Sequence, residues 1–119
     1  RSKKFPNLQV YGTAGSFFKN PILSVAAYDA LVAQYGEIPQ YPHANGIKIP
    51  LAYVLDNVLQ LRGYTEGNAW LFNAKPLVLV LTRGGKSREV EHLAQYVEKS
   101  VFEKTNINIE REVQTLRAI

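Results

Sequence analysis

A chain of 119 residues, 46% hydrophobic and 20% charged, fits one domain with a single core. It has no cysteine, which excludes a disulfide framework, a thiolate nucleophile and a sulfur-ligated zinc, and fits a reducing compartment. The net charge of +4 invites an anionic partner, but the basic residues are dispersed among acidic ones and form no stripe, so nucleic-acid binding is not expected.

His43 and His92 lie far apart in sequence, and no metal site is expected from them. The longest apolar run, Leu77 to Leu81, is too short to cross a bilayer, and no signal peptide is visible, so the chain reads as soluble. It contains no methionine and opens on Arg-Ser-Lys-Lys, which reads as a piece of a longer protein.

In chain order, "NLQVYGTAGSFF" is β-prone but broken by glycine, and Asn20-Pro21 stops it. Ser24 is placed to cap a helix through about Tyr35, with Tyr28, Leu31, Val32 and Tyr35 at helical spacing and Gly36 as terminator. The proline-rich "GEIPQYPHANG" should be an extended loop with a turn at Asn45-Gly46, followed by a short strand "IKI". Pro50 suits the first turn of a second helix, whose buried face is Leu51, Val54, Leu55 and Val58.

Residues 64 to 69 read as a connection, and "WLF" and "PLVLVLT" as two strands, the second central. Ser87 can cap the longest helix, with a stripe of Val90, Leu93, Ala94, Val97 and Val101 running to about Lys104. In "NINIEREV" the alternation of a strand puts Ile107, Ile109 and Val113 on one face and Asn108, Glu110 and Glu112 on the other. The sum is a small α+β domain, a mainly antiparallel sheet packed with about three helices.

"LVLVLTRGGKS" ahead of a helix is similar to a phosphate-binding loop, but the position that needs the first glycine is Val80. A turn at Gly84-Gly85 explains it adequately. Ser16 lacks the Gly-x-Ser-x-Gly elbow, and neither histidine has the context of a triad base, which argues against acyl transfer. Taken alone, Ser16 is either a turn residue or a proton donor to a carbanion, since a hydroxyl can give its proton to a strongly basic carbon. Gly12 and Gly15 allow a close backbone approach around it. Lys4, Lys19 and Asn20 are either ordinary surface polarity or ligands for a phosphate or carboxylate, and Tyr41 either packs on its own loop or lies along a ligand.

Taken together these segments closely resemble one family. "GTAGSFFKNP" is similar to the signature of the UDP-N-acetylenolpyruvoylglucosamine reductase (MurB) family, also called the UDP-N-acetylmuramate dehydrogenases. The likeness extends to "RSKKFP" upstream, similar to Arg-x-x-Lys-x-Pro, and to "YPHANGIKIPLAYVLDN", "LRG", "LVLVL", "KSREVEHLAQYVEKSVFEKTNINIE" and the Glu-Val of "EREV" downstream. It covers residues 1 to 119 as a single C-terminal, substrate-binding domain, with the FAD-binding lobes expected outside this chain.

The resemblance implies a cytoplasmic oxidoreductase of peptidoglycan precursor synthesis. In the family, NADPH reduces bound FAD, hydride passes to C3 of the enolpyruvyl group of UDP-N-acetylglucosamine enolpyruvate, and a serine protonates C2 to give UDP-N-acetylmuramate. Ser16 matches the serine and Glu112 the glutamate that assists protonation. A carboxylate beside a developing enolate is counterproductive if ionised, so this role asks Glu112 to be protonated when substrate closes over it. Lys4 and Asn20 match residues on the diphosphate, and Tyr41 matches a substrate-contacting tyrosine.

Three departures accompany the match: Lys75 stands where the family has a substrate-facing glutamine, Pro-Glu-Val-Arg appears as Arg111-Glu112-Val113-Gln114, and a Gly-Gly pair as Gly67-Asn68. Lys75 keeps an anion-binding charge with a different hydrogen-bonding pattern. With no dinucleotide fingerprint in the chain, the fragment alone is expected to be inactive. The rival reading is a noncatalytic domain of the same fold that binds an anionic ligand or a protein.

Overall fold

The computed structural model describes residues 16–71, 77–82 and 85–112, together with the backbone of 11–13 and 116–118. Among these residues are two antiparallel sheets and three helical segments, the α+β arrangement expected from the sequence. The larger sheet has the order β5-β6-β7-β1-β8, built from β5 (Thr65–Glu66), β6 (Ala69–Leu71), β7 (Leu79–Leu81), β1 (Tyr11–Thr13) and β8 (Leu116–Ala118). β7 is its central strand, as the unbroken apolar run requires, and all three of its residues are buried. The smaller sheet has the order β2-β4-β3, from β2 (Ile22–Leu23), β4 (Gly46–Lys48) and β3 (Tyr41–His43).

Helix α1 (Val25–Tyr35) begins and ends where its caps dictate. The Ser24 hydroxyl oxygen accepts the Ala27 amide at 3.1 Å, and Gly36 leaves the helix at φ 87°. Two tyrosines then tie down the following loop: buried Tyr28 donates its hydroxyl to the Ile38 carbonyl, and Tyr53 donates to Glu37 at 3.3 Å. This anchored loop delivers the chain to β3. Tyr41 therefore lies on an exposed edge strand, not in an irregular loop; Pro42 is tolerated there, because an edge strand need not donate on its outer side. At the turn of this hairpin Gly46 has φ 146°, and a Cβ there would sit 2.4 Å from the Leu23 carbonyl oxygen, so β2 and β4 meet closely only because it is glycine.

Pro50 precedes the second helix instead of occupying its first turn. Its backbone is extended, and α2 (Leu51–Tyr53) runs directly into a π-helical segment, Val54–Val58. The wider turn places consecutive Val54 and Leu55 both fully inside. Residues 64 to 69 are not a plain connection, since β5 pairs with β6 within them.

Helix α3 (Ser87–Thr105) buries Val90, Leu93, Ala94, Val97 and Val101, as its periodicity predicts. Its cap differs from expectation: Lys86 is the capping position and Ser87 the first helical residue. The work is done by Glu89, whose carboxylate accepts the amides of Lys86 and Asn68, each at 2.8 Å. The helix is thereby bonded to the β5–β6 turn, where a Cβ on Gly67 would come within 2.5 Å of the Glu89 carboxylate.

The segment after α3 is also corrected. "NINIEREV" keeps its alternation, with Ile107 buried, Ile109 half-buried and Asn108, Glu110 and Glu112 exposed, but among its described residues, 106–112, there is a single bridge, Arg111 to Phe18, instead of a strand. The regular pairing falls to β8, which the sequence did not announce. Val113 and the turn glycine Gly84 lie outside the described residues.

Candidate active site

The segment from Ser16 to Asn20 crosses from the larger sheet to the smaller one. Phe18 is its anchor, 1% exposed and edge-on to Phe17 at 5.0 Å between ring centroids. On one side the Phe17 amide donates to the Leu77 carbonyl at 2.8 Å. On the other, the Glu112 amide donates to the Phe17 carbonyl and the Lys19 amide to the Glu110 carbonyl, both at 2.8 Å. Ser16 is thus covalently joined to the residue that holds Glu112.

Ser16 and Glu112, 96 positions apart in the chain, line one cavity of about 290 Å³ with Phe18, Lys19, Asn20, Ile22 and Lys48. Both are exposed to solvent. The buried ring of Phe18 and the flank of Ile22 form its apolar wall, while Lys19 and Lys48 bring positive charge beside the hydroxyl and the carboxyl. Such a hollow can receive an anionic group next to a proton-donating hydroxyl.

Asn20 has a divided role. Its side-chain oxygen accepts the Leu51 amide at 2.9 Å, capping α2, which commits the oxygen inward and leaves the amide NH₂ as a donor at the cavity. Tyr41 does not line the cavity, but cross-strand pairing aligns it with Lys48, and Lys48 with Ile22. Directly paired residues share a face, so the ring belongs to the same row as two lining residues. Lys4 and Lys75 lie outside the described residues.

Lys48 is the residue sequence reasoning missed. A lone lysine in "IKI" reads as the solvent side of a strand, and only the pairing with β2 and β3 places it beside the serine. Among the described residues no carboxylate pairs with it, whereas the Lys19 ammonium is 3.5 Å from Glu110.

Arg111, which stands where the family has a proline, is bound on helix α3. Its guanidinium donates to Glu91 at 2.7 and 3.0 Å and to Glu98 at 2.6 and 3.0 Å, and lies 5.6 Å over the Phe17 ring. Hydrogen bonding from Arg111 holds the Glu91 carboxyl below its ordinary range. Gln114 lies outside the described residues.

At the described helix starts a side chain accepts one amide each: Ser24 that of Ala27 on α1, Asn20 that of Leu51 on α2, and Glu89 that of Lys86 at the start of α3. Among the described residues no group of three or more His, Asp or Glu side chains could hold a metal, and no helix is long and apolar enough to cross a membrane.

Comparison with known proteins agrees with this architecture. The model of the UDP-N-acetylenolpyruvoylglucosamine reductase C-terminal domain matches residues 6–116. A UDP-N-acetylenolpyruvoylglucosamine reductase of Shigella boydii serotype 4 is 40% identical over 119 residues, covering 99% of this chain and 34% of the relative. The protein of the same name from Aliivibrio fischeri is 39% identical over 114 residues, 96% of this chain and 32% of the relative. That of Buchnera aphidicola subsp. Schizaphis graminum is 33% identical over 120 residues, 100% and 35%. The chain spans about a third of the length of these relatives. With a match over nearly its whole length and the α+β fold in place, this chain belongs to the family of UDP-N-acetylenolpyruvoylglucosamine reductase C-terminal domains.

Proposed function

We propose that this chain is the substrate-binding domain of a reductase that converts UDP-N-acetylglucosamine enolpyruvate to UDP-N-acetylmuramate, and that Ser16 and Glu112 act on the enolpyruvyl group. The observation that carries this reading is their meeting in one cavity with Lys19, Lys48 and Asn20. Ser16 gives its proton to C2 of the substrate, and the carboxyl of Glu112 steadies the enolic oxygen from the facing segment. Lys48, Lys19 and the Asn20 amide supply charge and hydrogen bonds to the acidic nucleotide sugar. Lys4 and Lys75 add further cations, and Tyr41 covers the sugar nucleotide from the edge strand.

A flavin, reduced by NADPH, would supply the hydride, held by the part of the parent protein that corresponds to the two thirds of the relatives this chain does not span. Because Ser16 and Glu112 are exposed, water must be excluded by substrate and by that partner lobe. The fragment by itself is expected to reduce nothing, and the reaction belongs to the cytoplasm, where its nucleotide substrates are made.

The decisive experiment uses the full-length parent protein. Ser16→Ala should leave flavin reduction by NADPH intact and slow reoxidation by the enolpyruvyl substrate about 10²- to 10⁴-fold. An equal loss in both half-reactions would overturn the assignment. A colourless parent with no flavin would favour a noncatalytic, anion-binding domain.

A further inference from the structure

Arg111 adjoins Glu112, yet its side chain turns away from the cavity. It runs to helix α3, where Glu91 and Glu98 are seven residues, two helical turns, apart on one face. All three guanidinium nitrogens donate, to four carboxylate oxygens in total, and the Phe17 ring lies alongside the carbon of the guanidinium. Arg111 is only half-buried, so simple ion pairing would be screened; two forked pairs on a rigid helix fix an orientation that one exposed pair cannot.

The backbone shows what that orientation controls. Among the described residues, 106–112 have no strand partner beyond the bridge at Phe18, whose two hydrogen bonds are Lys19 to Glu110 and Glu112 to Phe17. These are the residues immediately before and after Arg111. Without a ladder to fix its register, the segment relies on that bridge and on the Arg111 side chain. Phe17, touched by Arg111, is also the residue that accepts from Glu112 and follows Ser16.

We propose that Arg111 is a positioning residue: clamped by Glu91 and Glu98 and stacked on Phe17, it fixes the approach of Glu112 to Ser16 without touching substrate. This rests on the function proposed above. Small misplacements of a reacting group are costly, on the order of 10²-fold for about 1 Å, whereas binding through Lys48 and Asn20 does not pass through the clamp.

The test compares Arg111→Gln, Arg111→Lys and Glu91→Gln/Glu98→Gln in the full-length parent protein. Arg111→Gln should lower kcat for the enolpyruvyl substrate about 10- to 100-fold, with KM and the rate of flavin reduction changed by less than about twofold. The Glu91→Gln/Glu98→Gln protein should show the same split, and Arg111→Lys, which keeps one charge but loses the forks, should recover part of the rate. Hydrogen–deuterium exchange of the peptide covering 106–112 should quicken in the variants that lose rate. If Arg111→Gln folds poorly, the single variant Glu98→Gln decides by the same split. Unchanged kcat, or equal damage to flavin reduction and substrate turnover, would overturn the positioning role. A wild-type parent that fails to reoxidise its flavin with this substrate would instead overturn the proposed function.

Discussion

The amide of Glu112 donates to the carbonyl of Phe17 at 2.8 Å, which ties the carboxyl-bearing segment to the residue following Ser16. Beneath this bond lies Phe18, the buried member of the bridge with Arg111. Phe18→Ala removes the ring that supports both sides of the cavity, so it should cost about 3–5 kcal/mol of stability. Urea unfolding of the domain measures it; a loss under about 1 kcal/mol would mean the bridge stands without its core anchor.

Lys48 offers a second check, aimed at binding. It forms no ion pair among the described residues and lines the cavity, so its removal should cost affinity for an acidic substrate and little chemistry. In the parent protein Lys48→Ala should raise KM about 10- to 100-fold, the range expected for a charge-assisted hydrogen bond, with kcat altered less than about threefold. Steady-state kinetics at two salt concentrations reads both quantities. A fall in kcat at unchanged KM would move Lys48 from holding the ligand to serving the reaction.

Acid stability should report on Glu89. The backbone amides of Asn68 and Lys86 donate to its carboxylate and hold it below the ordinary value of 4.5. A carboxyl so depressed in the folded state stabilises the protein above its unfolded titration, and that contribution disappears as pH falls through the folded value. The stability difference between wild type and Glu89→Gln should be fully present at neutral pH and shrink from about pH 5 downward. Thermal unfolding at several pH values tests it, and a gap that stays constant to pH 3 would show that the hydrogen bonds do not depend on the charge.

Much of the architecture was legible in local chemistry. Ser24 and Gly36 bracket α1 because capping is settled within one turn, and the apolar stripe of α3 reports its buried face through a period the chain cannot hide. "LVLVL" declared a central strand because only a strand covered on both faces tolerates such a run. That Ser16 and Glu112 belong together was expected only through resemblance to a family, since a hydroxyl and a carboxyl 96 positions apart carry no periodic signal of their meeting.

Tertiary structure decided what depends on distant partners. Glu89 displaced Ser87 as the cap because its carboxylate reaches both the helix start and the β5–β6 turn. Tyr41 and Lys48 became neighbours through a three-stranded register that neither short segment specifies, and the strand-like alternation around Glu112 was reduced to one bridge. The sequence by itself determined α1, α3 and the central strand, because propensity and periodicity act over a few residues. Which hydroxyl, carboxyl and lysine share a cavity, and which helix the arginine beside that carboxyl reaches, was decided only when long-range contacts fixed segments whose local preferences leave register open.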